Sequence, residues 1–181
     1  YMKIKNLLLD AIMIFTYINA SAQTWDCGDN GKKLTATVNG GILTINGTGN
    51  MLDDGRNNEV PWNSPGYDVR TSITAVNIGT GVTSIGERAF FDRSGLTSIS
   101  IPGTIISIGK NAFYKCSGLK ELTIEDGSSI LSFIELAFSK TSGYNDSFYN
   151  CPIEKLYYGR NLSITTIINL KFTSTFSSPV N

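Results

Sequence analysis

The residue types that could perform nucleophilic or metal-assisted chemistry are few here, and their spacing narrows them further. The chain contains no histidine. A Ser-His-Asp triad, a Cys-His dyad and every histidine-bearing zinc site are therefore excluded. The three cysteines, Cys27, Cys116 and Cys151, form no CxxC pair, so neither a thiolate zinc site nor a dithiol redox motif is present. Gly79-Thr80-Gly81 followed by Gly86 imitates a dinucleotide loop. Its third glycine is misplaced and no helix pattern follows, so it reads as turns between strands. Asp53-Asp54-Gly55 with Asn57, Asn58 and Glu59 has the composition of a calcium loop without EF-hand spacing, and reads as a solvated cap loop, with an adventitious calcium site as the alternative. Asp26 and Asp29, beside Cys27, read the same way. Carboxylates are scattered, with no recurring pair of the kind glycosidases use. No catalytic residue, metal ligand or cofactor is assigned, and the chain is not expected to be an enzyme. Lys+Arg 15 balances Asp+Glu 15, with no basic run. Nucleic acid is therefore not an expected partner, because phosphate binding needs a basic footprint.

What places the remaining residues is a repeat. Residues 73–95 lie over 96–118 without a gap: Ile73 on Leu96, Val76 on Ile99, Ile78 on Ile101, Ile85 on Ile108, Ala89-Phe90 on Ala112-Phe113. The period is 23 residues. A third copy opens at Leu119, with Leu122 and Ile124 in register and Ala137-Phe138 as its Ala-Phe pair after two inserted residues. A partial fourth copy follows, in which Phe148, Cys151, Ile153, Leu156 and Tyr158 echo Phe113, Cys116, Leu119, Leu122 and Ile124. The polar stretch 139–146 reads as an insertion between coils. A period in the twenties predicts a mainly β solenoid with one coil per repeat. Each coil has about six apolar anchors, worth roughly 2 kcal/mol apiece when buried. Ordering its residues costs on the order of 1.5 kcal/mol each, so one coil cannot fold alone and must stack. Strands are predicted at 75–78, 98–101, 121–124 and 155–158, with a second set at 82–85, 105–108 and 131–134.

The motif S-I-G-x-x-A-F at 84–90 and 107–113, and A-F-Y-K-C at 112–116, resemble the BspA-type leucine-rich repeats of bacterial surface proteins. The resemblance covers about residues 73–160. It implies a leucine-rich-repeat solenoid of about 23-residue repeats, a surface location, and a binding or adhesion role. Phe133-Ile134-Glu135 departs from the pattern's Ile-Gly, so distortion is expected in the third copy.

Four segments follow. Residues 1–22 read as a signal peptide: Lys3 and Lys5, an apolar run over 7–18, then Ala20-Ser21-Ala22 before a mature Gln23. The apolar run is too short for a stable membrane span, and no lipobox precedes Cys27. The protein is thus expected to be secreted or at the cell surface. Residues 23–72 read as a cap. In it, 34–38 and 42–45 alternate apolar and polar around Asn39-Gly40-Gly41, a β-hairpin signal, and Trp62 is the expected plug over the first coil. Residues 73–162 hold the repeats. Residues 163–181 read as an irregular tail or a truncated further repeat. Together with Tyr1 before Met2, they fit either a natural tail or a piece of a longer reading frame. With no cap in view, the layer of Ile153, Leu156 and Tyr158 is expected to face water, which makes end-to-end self-association a candidate behaviour.

The functional surface is expected on the outward side of the first strand set. One row is Asn77, Ser100, Thr123 and Tyr157; the other is Ala75, Ser98, Glu121 and Lys155. Asn77, Ser100, Thr123, Tyr157, Glu121 and Lys155 are the candidate contacts to a protein or glycan ligand. A structural spacer in a larger surface protein is the alternative reading, and a glycan-active enzyme a distant third. Cys116 and Cys151 share one repeat position. Stacking at about 4.8 Å allows either a disulfide or an inert buried thiol ladder.

Overall fold

The computed structural model describes residues 23–31, 33–53, 60–63, 72–133 and 146–159. Residues 1–22, where a signal peptide is expected, and residues 163–181, where a tail is expected, lie outside them. The described chain is mainly β.

It begins with β1 (Gln23–Asp26), β2 (Lys33–Asn39) and β3 (Ile42–Asn50), paired antiparallel in that order. Leu34, Ala36, Leu43 and Ile45 point one way into the core, as the alternation predicts. Gly40 and Gly41 both have positive φ, 55° and 81°, which suits a two-residue turn whose twist matches the strands. The edge strand β1 has little alternation and was not legible in the sequence.

The nine residues of β3 serve two sides of the molecule. Ile42 to Ile45 pair in parallel with β4 (Ala75–Ile78), while Gly49 and Asn50 pair with β5 (Val82–Ile85). Between them lies Gly47, whose φ is 119° and whose hypothetical Cβ would collide with the Lys33 carbonyl oxygen; the register itself shifts between Gly49 and Asn50. Only glycine fits there. The second hairpin strand is thus also the coil that precedes the first repeat.

Beyond it the repeats stack in parallel. On one side β5 pairs with β7 (Ser107–Ile108) and β7 with β9 (Ser132–Phe133). On the other, β6 (Ser98–Ile101) pairs with β8 (Glu121–Ile124) and β8 with β10 (Lys155–Tyr158). Ser84 meets Ser107 and Ser98 meets Glu121, both 23 positions apart, while Glu121 meets Lys155 at 34. β4 lies beside β6 without a ladder between them.

A third line of bonds joins the turns that close each coil. Arg88, Phe90 and Asp92 amides donate to Lys110, Ala112 and Tyr114 carbonyls at 2.9, 2.7 and 2.7 Å. Phe113 and Lys115 donate to Ser147 and Tyr149 at 2.7 and 2.8 Å. Inside these turns runs a column of rings, Trp62–Phe90–Phe113–Phe148, with centroids 6.3, 5.1 and 4.7 Å apart. Trp62 is fully buried, and its Nε1 donates to the Ala89 carbonyl at 2.7 Å.

Four expectations are corrected. The strand expected over 105–108 shortens to Ser107–Ile108. That over 131–134 is Ser132–Phe133; Ser132 pairs with Ser107, 25 positions earlier, the step expected from 23 residues plus the two inserted ones. The turn 146–151 closes the third coil rather than opening a fourth, because Phe148 stacks directly on Phe113 with no room for another ring. Ala137-Phe138, expected in that place, lies outside the described residues. Phe148 follows Phe113 by 35 positions instead of 23, so the inserted residues belong within the third coil. Finally, Leu156 does not face water: opposite Leu122 on β8, it is 3% exposed, while Ile153 and Tyr158 are half-buried.

Candidate binding face

Strands β4, β6, β8 and β10 bury Val76, Ile99, Leu122 and Leu156 and turn the residues on either side outward. The pleat therefore fixes two outward rows. In the first, Thr44 faces Asn77 across β3–β4, Ser100 faces Thr123, and Thr123 faces Tyr157. Asn77 is exposed, Ser100 and Thr123 are half-buried, and Tyr157 is 40% exposed. In the second, Ile42 faces Ala75, Ser98 faces Glu121, and Glu121 faces Lys155. The six candidates all lie on this one face. Thr44 and the 42%-exposed Ile42 extend it onto the hairpin, where sequence reasoning saw only a cap.

The charges on the face are paired between coils. Lys155 Nζ donates to the Glu121 carboxylate, and Lys120 Nζ lies 3.1 Å from Glu154 Oε1. The hydrogen bond from Lys155 to Glu121, helped by their attraction, holds the Lys155 ammonium pKa above its ordinary value. The order Lys-Glu at 120–121 meets Glu-Lys at 154–155, so each charge finds its opposite one strand away. Ser100 Oγ donates to Glu125 Oε1 at 2.6 Å. Asn77, Thr123 and Tyr157 carry the polar groups that these pairs leave unoccupied.

Cys27, Cys116 and Cys151 are free thiols in this structure. Cys116 Sγ donates to the Phe90 carbonyl at 3.0 Å and Cys151 Sγ to that of Phe113 at 2.9 Å. A hydrogen bond with Cys116, then burial, pushes the Cys151 thiol well above the ordinary range. Burial, then the Asp26 charge, pushes Cys27 up to about 12. Protonated thiols are poor nucleophiles, which counts against a reactive role for Cys27 and Cys151.

The other motifs are absorbed by packing. Gly81 lies so close to the preceding coil that a Cβ would sit 2.0 Å from the Gly47 carbonyl oxygen. Asp53 Oδ1 accepts the Glu87 amide at 2.6 Å, and the rest of its loop, 54–59, lies outside the described residues. Among the described residues, no three His, Cys, Asp or Glu side chains gather as a metal site, and no helix is long and apolar enough to cross a membrane.

Sequence reasoning missed a second row, on the turns. Phe91, Tyr114 and Tyr149 stack with centroids 5.1 and 5.0 Å apart, all half-buried. The Arg88 guanidinium sits 4.2 Å from the Phe91 centroid. The signal was an aromatic residue directly after Phe90, Phe113 and Phe148. It was hidden while Phe138 was assigned to the third coil.

A family model described as BspA type Leucine rich repeat region matches residues 67–177 in 6 copies. Among solved structures, a leucine-rich repeat protein from Eubacterium ventriosum is similar in fold, with a TM-score of 0.51 and 22% sequence identity. The match covers 80% of this chain and 40% of that one, so this chain spans less than half of its length. No curated protein matches the chain.

Proposed function

The chain belongs to the BspA-type leucine-rich-repeat family, and on that premise we propose that it is an exported, non-catalytic solenoid that binds a macromolecule through the outward face of β4, β6, β8 and β10. The observation that carries this reading is the face itself. It holds two rows of outward side chains, laddered from β3 to β4 and from β6 through β8 to β10, with β4 beside β6, and extended stacked faces of this kind suit macromolecular partners. The signal-peptide pattern of residues 1–22 supports delivery to the cell surface or beyond, where an adhesive role belongs.

The test is a binding screen of the chain against immobilised matrix proteins and glycans. It is run beside a variant carrying Asn77→Arg and Thr123→Arg. We expect a ligand whose binding the double variant loses while its melting temperature is kept. A spacer role predicts no ligand, or one that the double variant retains.

A further inference from the structure

Resting on that reading, we infer that the ligand of this face is an uncharged, extended polysaccharide lying along the row Thr44, Asn77, Ser100, Thr123 and Tyr157, across the strands. Three features of the face lead there.

The first is chemistry. The row's own side chains are hydroxyl, amide, hydroxyl, hydroxyl and phenol; the Ser100 hydroxyl is donated to Glu125, which leaves Thr44, Asn77, Thr123 and Tyr157 to meet a ligand. Such groups both donate and accept, as sugar hydroxyls do. The second is the charge around the row. Glu121 is held by Lys155 and Lys120 lies against Glu154, so these four cancel in pairs. Among the described residues, Glu125 and the exposed Asp126 add two carboxylates beyond the end of β8, which disfavour a uronate or sulfated chain.

The third is pitch. The ladders between Thr44 and Asn77, and from Ser100 through Thr123 to Tyr157, set neighbours about 4.8 Å apart. An extended peptide repeats its same-side groups about every 6.6 Å, so it falls out of step by more than a third of a coil at each strand. A chain of β-1,4-linked pyranose rings advances one ring in close to the strand spacing; because successive rings are turned over, it presents the same side at about every second strand, two spacings on. Tyr157, 40% exposed at the end of the row, adds an aromatic surface. The aromatic row Phe91, Tyr114 and Tyr149 is the weaker candidate for a sugar. Its rings stack on one another, with 4° and 19° between planes, and so spend their faces internally.

The experiment is calorimetric titration of the chain with β-1,4-linked glucan, xylan and mannan hexasaccharides, the matching trisaccharides, and a hexagalacturonate. We expect at least one neutral hexasaccharide to bind, its trisaccharide to bind at least tenfold more weakly, and the hexagalacturonate not to bind. Thr123→Arg should abolish binding, and Thr123→Val, which keeps the strand and removes the hydroxyl, should weaken it several-fold at unchanged melting temperature. Absence of neutral-glycan binding overturns the inference, as does preference for the hexagalacturonate, or equal binding by Thr123→Arg. If the inference fails but a protein ligand is lost in the Asn77→Arg, Thr123→Arg variant, the binding-face reading stands. If neither glycan nor protein depends on the face, both fall.

Discussion

Arg93 and Cys116 occupy the same place in successive coils and make the same bond. Each donates to the main-chain carbonyl of the column residue one coil earlier, Arg93 Nη2 to Trp62 at 3.0 Å and Cys116 Sγ to Phe90 at 3.0 Å. Cys151 repeats the bond to Phe113 at 2.9 Å. The donors differ in length and the column step differs with them: the indole of Trp62 stands 6.3 Å from Phe90, against 5.1 Å between Phe90 and Phe113.

Arg93→Ala should therefore loosen the N-terminal end selectively. The stranded Trp62 carbonyl costs about 1–3 kcal/mol and the cavity adds to it. Arg93→Cys should not restore the loss, because the shorter side chain cannot span the wider gap. Thermal melting followed by tryptophan fluorescence checks both; full recovery in Arg93→Cys would contradict the reach argument.

Phe113→Ala should cost about 3–5 kcal/mol, the range for a buried aromatic in a packed core. Phe148→Ala should be comparable, because Phe148 is 4% exposed and stacks on Phe113 at 4.7 Å. Chemical denaturation, with the exposed Thr97→Ala as control, measures this. A control-sized effect at Phe148 would mean that another segment closes the third coil.

Alkaline pH should destabilise the fold. The Cys27 thiol, ordinarily 9.0, is pushed up to about 12 by burial, so the native state keeps a proton that the unfolded chain releases. Stability is therefore full below pH 9 and falls as pH rises toward 12. Cys27→Ala should flatten that decline in denaturant titrations at stepped pH; an unchanged slope would show that Cys27 does not contribute to it.

Glu121→Lys sets two like charges opposite each other on β8 and β10 and should lower the melting temperature at low salt. Adding Lys155→Glu reverses the pair and should restore it. Both effects should shrink as salt is raised, because these side chains are 44% and 53% exposed. A melting temperature that stays depressed in the swapped pair would show that shape rather than charge sets this contact.

Much of the fold was legible because anchors at a fixed period leave little choice. Ile73, Val76, Ile78 and Ile85 recur 23 residues on, and a chain with that pattern buries its anchors by stacking. The strands Ala75–Ile78, Val82–Ile85, Ser98–Ile101, Glu121–Ile124 and Lys155–Tyr158 fall where the pattern puts them. So do the hairpin and the place of Trp62. The outward rows were legible for the same reason, since alternation along a strand fixes which side chains leave the core.

Tertiary structure decided what the pattern leaves equal. Phe138 and Phe148 both offer a ring with repeat-like flanks, and lengthening a loop by ten residues costs little entropy, so local similarity could not choose between them. Ring stacking on Phe113 and the bond from Cys151 to its carbonyl made the choice. It was likewise register, not composition, that set Lys155 on Glu121 and Lys120 against Glu154, and so neutralised part of the face that the sequence presents as charged. Period and alternation are local properties of the chain. Which distant segments become neighbours depends on packing that exists only once the coils have stacked.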